Sequence, residues 1–147
     1  RTRGPTARGE RGGGDGDGSG ADSPVPIALD ETLASHGLDA VLDAGAADVV
    51  VLKPMALGGP DVALELAGLV RGAGIEPVVT TTIDGPIARA AAVHVAAAIP
   101  AVSACGLATG SLLATGEMSD PAPVGGGVVT VPQKEGNTPA VLLADYA

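Results

Sequence analysis

The amino-acid sequence predicts an α/β fold made of consecutive βα units, and three observations carry that expectation. Short β-type runs alternate with longer Ala/Leu-rich runs of helical period. The run at 48–52 is apolar on both faces, as a parallel strand covered by helices must be. Candidate strand starts fall at 25, 48, 76 and 101, each pair far enough apart for one strand, one helix and two loops.

The first unit reads as a strand at 25–29 and a helix at 32–44, where Leu33, Ala40 and Val41 share a helical face and Gly37 weakens the pattern. The strand at 48–52 leads into a loop through Gly58 and Gly59. Pro60 then sits where a first helical turn tolerates proline, and Leu64, Leu66, Ala67, Leu69 and Val70 supply an apolar stripe ending near Gly72 and Gly74. A third strand at 76–80 precedes Asp84, Gly85 and Pro86, which repeat the helix-start chemistry before a helix at 87–98 that Pro100 ends. The fourth unit is weaker: a strand at 101–104, a loop at 106–110 and a short helix at 111–114. A further β-type run at 128–131 reads as a tail strand, part of a small hairpin.

Right-handed crossovers lay four such strands side by side with their carboxyl ends on one rim, where functional residues of parallel sheets collect. An eight-stranded barrel needs about 250 residues. The foldable part here is half of that. Either the chain is a small open α/β sheet, or it is four βα units of a partial TIM-type barrel; a half-barrel exposes strand edges and an inner wall that small domains ordinarily cover. The expected division is 1–24, a disordered Gly/Arg-rich linker or artefactual segment; 25–116, the four βα units; and 117–147, a tail.

Charge and composition exclude several classes. The formal net charge is -9, and after residue 24 the basic side chains are Lys53, Arg71, Arg89 and Lys134. Nucleic-acid and anionic-membrane partners are not expected, because binding phosphates requires clustered Lys and Arg. The single Cys105 leaves no intrachain disulfide and no thiolate metal cluster. Residues 1–24 lack the apolar segment of a signal peptide, and no apolar run reaches the length of a membrane span. A cytoplasmic location is the expectation.

At the rim, Asp30 and Glu31 follow the first strand. Such a pair can offer oxygen to a hard divalent cation, or simply place negative charge and a cap at a helix start. Period-2 alternation makes Asp30 the better ligand candidate and turns Glu31 the other way or into the loop. Lys53 ends an apolar run and is the sole lysine before residue 134. A lysine there can transfer a proton or hold a developing enolate oxygen by charge; a snorkelling lysine without a chemical part is the other reading. Thr80, Thr81 and Thr82 can bind a carboxylate, or merely suit a strand. Cys105 reads as a buried thiol.

The order 26–33 (Pro-Ile-Ala-Leu-Asp-Glu-Thr-Leu), 49–54 (Val-Val-Val-Leu-Lys-Pro) with Gly58 and Gly59, 77–85 (Pro-Val-Val-Thr-Thr-Thr-Ile-Asp-Gly) and 104–110 (Ala-Cys-Gly-Leu-Ala-Thr-Gly) resembles the C-terminal half of an enolase-superfamily barrel, muconate-lactonising subgroup. Within it the o-succinylbenzoate-forming branch is the most similar. The resemblance implies that the chain carries barrel strands five to eight. It implies that Asp30, accompanied by Glu31, is a Mg²⁺ ligand and that Lys53 steadies an enediolate. It also implies that Thr80, Thr81, Thr82 and Gly106 surround a small carboxylate substrate. The implied reaction is Mg²⁺-dependent dehydration of 2-succinyl-6-hydroxy-2,4-cyclohexadiene-1-carboxylate to o-succinylbenzoate, in menaquinone biosynthesis.

No Lys-x-Lys motif occurs in the chain, so the resemblance implies that the main base and two of three metal carboxylates come from elsewhere, for instance a separately encoded N-terminal half, and that the chain is inactive alone. N-acylamino-acid racemases, dipeptide epimerases and muconate cycloisomerases are the alternatives within the superfamily. The epimerases are expected to carry an acidic pair after the eighth strand, which 104–107 lacks. A noncatalytic α/β module is the alternative outside it.

Overall fold

A computed structural model describes residues 25–114 and 119–133; the expected linker at 1–24 and the final part of the expected tail lie outside the described residues. The chain's most apolar β-type run, Val49–Leu52, forms β2 at the centre of a three-stranded parallel sheet. It lies between β1 (Ala28–Leu29) and β3 (Glu76–Val79). Ala28 pairs with Val49, and Val49, Val51 and Leu52 pair with Glu76, Val78 and Val79.

Alternation along these strands separates two faces. Val50, Leu52 and Val79 are fully buried, in one cluster with Leu33, Val41, Ala63, Ala67, Ala92, Val93 and Val95 from the helices. Val49, Val51 and Val78, on the other face, stay partly exposed. Strands in sequential order joined by right-handed crossovers carry their helices on one side. A doubly wound sheet would be covered on both. The arrangement is therefore a partial, unclosed α/β barrel, which decides between the two architectures that the sequence left open.

Helix α1 (Thr32–Ala44) is interrupted at Gly37, whose φ of 81° and ψ of 171° are not helical, and it ends on Gly45 in the left-handed region. The expected loop after β2 contains instead a single-turn helix, α2 (Pro54–Leu57), started by a buried proline. Helix α3 (Pro60–Gly72) has Asp61 in its first turn and Arg71 in its last, both favourable to the helix dipole. Its buried stripe is Ala63, Ala67 and Val70, whereas Leu64 and Leu69 are exposed. Ala67 and Val70 of the expected stripe are thus buried and Leu66 packs against the core, while Leu64 and Leu69 fall outside it. Helix α4 (Pro86–Ala98) is buried nearly all round, Ala90, Ala91, Ala92, Val93, Val95 and Ala96 included.

The expected fourth strand at 101–104 does not form. Ala101, directly after Pro100, has a φ of 48° and turns the chain out of strand geometry. The chain rejoins the sheet two residues past the expected strand, through an isolated parallel bridge between Thr80 and Gly106. A short 3-10 helix at Thr109–Leu112 replaces the expected helix at 111–114. The tail hairpin is present as β4 (Val124–Gly125) and β5 (Val128–Val129), and its two-residue turn uses Gly126 and Gly127 at positive φ. Among the described residues no helix is long and apolar enough to cross a membrane.

Candidate functional site

Each βα junction leaves one polar residue just past the end of its strand: Asp30 after β1, Lys53 after β2 and Thr80 after β3. These residues continue the exposed alternation of their strands, so all three belong to the open inner face. Lys53 brings the first two together. Its Nζ lies 2.7 Å from Asp30 Oδ1 and 2.5 Å from Glu31 Oε1. The lysine side chain is only 13% exposed, against 55% for Asp30 and 73% for Glu31.

The backbone explains the convergence. Lys53 is the residue before α2, in extended geometry, and its carbonyl accepts N–H bonds from Ala56 at 2.9 Å and Leu57 at 3.0 Å. Its position is thereby fixed by the first turn of the helix. Of the two expectations for Glu31, the structure takes the second: it lies past the strand, in the junction before α1. It already has near-helical dihedrals at the start of α1, which ends the strand's two-residue alternation, and its side chain swings toward Lys53 rather than capping the helix. The carboxylates of Asp30 and then Glu31 hold the Lys53 ammonium above its ordinary pKa, and partial burial opposes them.

The three threonines separate. Thr80 is paired with the 106 segment, where its hydroxyl donates to the Gly106 carbonyl at 2.8 Å and Gly106 N–H donates to the Val79 carbonyl at 2.9 Å. Thr81 is buried, and its hydroxyl meets that of Thr109 at 2.6 Å. Thr82 bonds to Asp84 through both hydroxyl and N–H. Of the three, Thr80 is the one that the sheet sets beside Lys53, since its N–H donates to the Leu52 carbonyl at 3.0 Å, and Gly106 is bridged to it from the far side. Cys105 is partly rather than fully buried, and its Sγ contacts the Ser103 carbonyl at 3.3 Å.

Sequence reasoning missed Arg89, which is fully buried in α4 and bonded to Asp120 and to the carbonyls of Leu107 and Ala122. A signal existed: apart from His94 it is the one polar side chain in an otherwise apolar helix. Thr109 had no such signal, because only the fold brings it to Thr81.

As a cation centre the cluster is incomplete. Mg²⁺ takes six oxygens in near-octahedral array. Here one oxygen of each of two exposed carboxylates faces an ammonium, and among the described residues no group of three or more His, Cys, Asp or Glu is placed to hold a metal. Asp30 fits as one donor of a larger set; the cluster as it stands does not fit the ion. Chemically, it presents a restrained ammonium, with carboxylates beside it, to the open face of a parallel sheet.

The model of the family described as "Enolase C-terminal domain-like" matches residues 19–138. The o-succinylbenzoate synthase of Mycobacterium ulcerans is 41% identical over 124 residues, which covers 82% of this chain and 36% of that protein. Muconate cycloisomerase 1 of Rhodococcus opacus is 35% identical over 115 residues, covering 77% and 31%. In three dimensions the chain is similar to the muconate lactonizing enzyme from Pseudomonas putida, with a TM-score of 0.70 and 25% identity over 78% of this chain and 32% of that one. The chain spans about a third of the length of the curated relatives it matches.

Proposed function

This chain belongs to the enolase C-terminal domain-like family, and from that premise we propose that residues 25–116 supply the C-terminal part of an enolising active site of the muconate-lactonising branch. The observation that carries the proposal is the 2.7 Å contact of Lys53 Nζ with Asp30 Oδ1 at the carboxyl ends of neighbouring parallel strands.

In this reading a base from outside the chain removes the proton next to a substrate carboxylate, and the C–H electron pair moves into an enediolate. Lys53 Nζ stabilises that charge electrostatically, in a position that its ion pairs have already fixed. Asp30, flanked by Glu31, would be this chain's one carboxylate donor to a Mg²⁺ whose other ligands come from outside the chain, and the ion would supply positive charge that favours the enediolate. Thr80 and Gly106 form the adjoining wall; Thr81 and Thr82 shape it through Thr109 and Asp84. The described part of the expected tail, 119–133, carries the β4–β5 hairpin. The rest of the site would come from an N-terminal half, for instance one encoded separately, and the acidic charge with a single cysteine supports a cytoplasmic setting.

Two reactions share this chemistry. Cycloisomerisation of a muconate is supported from two sides, by the Rhodococcus relative in sequence and the Pseudomonas enzyme in fold. Dehydration to o-succinylbenzoate is supported by the higher sequence identity. The test is to reconstitute the chain with an N-terminal half-barrel taken from the Mycobacterium ulcerans relative and to assay three substrates: the hydroxycyclohexadiene carboxylate, muconolactone and an N-acylamino acid. Mg²⁺-dependent turnover of one of them supports the reading and selects the reaction. A stable complex that turns over none of them refutes it.

A further inference from the structure

We infer that Arg89 is a positioning residue: from α4 it fixes the 106–110 segment against the end of β3 and so sets the wall of the mouth beyond Thr80. Only the description of that segment as a substrate wall rests on the proposed function. A guanidinium with no exposure, in a helix of alanine and valine, is stable only if its donors are answered. All of its partners belong to the chain that follows α4. Nη1 donates to the Leu107 carbonyl at 2.8 Å, while Nη2 donates to both oxygens of Asp120 and to the Ala122 carbonyl. Asp120 Oδ1 also accepts the Ala122 N–H at 3.0 Å, which closes a tight turn around the arginine.

Leu107 is the residue after Gly106, the one residue that joins this segment to the sheet. The 3-10 helix that follows buries none of its residues, so apolar packing does little to locate it. Gly110 lies directly over the arginine, and a Cβ there would fall 3.2 Å from Arg89 Nε and 3.4 Å from Asp120 Oδ2. Nε itself has no hydrogen-bond partner among the described residues. Buried Leu107, the Gly106 bonds to β3 and the Thr81–Thr109 pair hold the near side of the wall, and Arg89 ties that wall to the turn at Asp120 and Ala122.

The test uses the full chain labelled with ¹⁵N and follows hydrogen exchange and the amide cross-peak of Gly106, whose N–H is bonded to Val79, against Val50 in the centre of the sheet. The variants are Asp120→Asn, which keeps the shape and removes the charge of a partly exposed partner, and Gly110→Ala, which presses on Nε from the other side. Each is expected to shift the Gly106 cross-peak and speed its exchange about tenfold, the effect of a lost charge-assisted bond, while Val50 is unchanged. An equal acceleration at Gly106 and Val50 would make Arg89 a general stabiliser only, and no change at Gly106 would remove the role; either result overturns the inference. The readout needs neither metal nor turnover, so failure of the proposed chemistry would leave it intact.

Discussion

Replacing Gly106 by Ala tests how closely the 106 segment is docked on β3. A Cβ built there lies 2.6 Å from Thr80 Oγ1 and 3.2 Å from Thr80 Cβ, well inside the roughly 3.5 Å at which carbon contacts become favourable. Two relaxations are open. Thr80 can rotate about χ1, which breaks its 2.8 Å bond to the Gly106 carbonyl, or the segment can lift, which weakens the 2.9 Å bond from Gly106 N–H to Val79. Losing one such bond costs about 1 kcal/mol and residual overpacking about as much again, so Gly106→Ala should destabilise by about 2 kcal/mol. Thr80→Ala alone should cost about 1 kcal/mol. The double variant removes the closest clash, so its cost should fall below the sum of the single costs by about 1 kcal/mol. Urea unfolding of the four proteins, with equal slopes, measures the cycle. A neutral Gly106→Ala, or strict additivity, would refute the close docking.

Other perturbations have equally definite outcomes. Leu52→Ala should cost about 3 kcal/mol, because Leu52 is fully buried in the core, while Leu64→Ala, on the exposed side of α3, should stay within about 0.5 kcal/mol in the same urea assay. The raised pKa of Lys53 means that its ion pairs stabilise the fold fully below the ordinary lysine value of 10.5 and lose that contribution as pH rises through the raised value. Urea midpoints between pH 9 and 12 should therefore fall more for the native chain than for Lys53→Met, by no more than about 1 kcal/mol because both carboxylates are solvent-exposed. Thr109→Val should destabilise by about 1 kcal/mol, since it leaves the buried Thr81 hydroxyl without its 2.6 Å partner; equal stability would show that this pair does not anchor the 3-10 helix.

What the sequence made legible depended on how local the determining physics was. The Val49–Leu52 strand and the starts of α3 and α4 at Pro60 and Pro86 follow from residue-level preferences, and they were readable. Strand spacing with the handedness rule placed Asp30, Lys53 and Thr80 at one rim. The misreadings are all places where tertiary geometry overrides a local pattern. Of the α3 stripe, Ala67 and Val70 are buried as expected and Leu66 packs against the core, whereas Leu64 and Leu69 lie outside and Ala63 joins the buried face instead. A β-type run at 101–104 was redirected by positive φ at Ala101, and the sheet was rejoined at Gly106, where the absent Cβ gives Thr80 room. Glu31 reaches Lys53 from the junction before α1, which starts at Thr32 as expected; the contact itself spans 22 residues and no local pattern reports it. The partners of Arg89 are 18 to 33 residues away, beyond anything that periodicity can report.

The measurement that bears most directly on the account is Mg²⁺-dependent turnover of the reconstituted complex with Lys53→Met and with Asp30→Asn. If the 2.7 Å pair marks the enolate-stabilising side of the mouth, Lys53→Met should lower kcat at least about 100-fold with the complex still assembled, as removing a preorganised charge does. Asp30→Asn should raise the Mg²⁺ concentration needed for half-maximal rate. An assembled complex whose rate and Mg²⁺ dependence are unchanged by both substitutions would contradict the account.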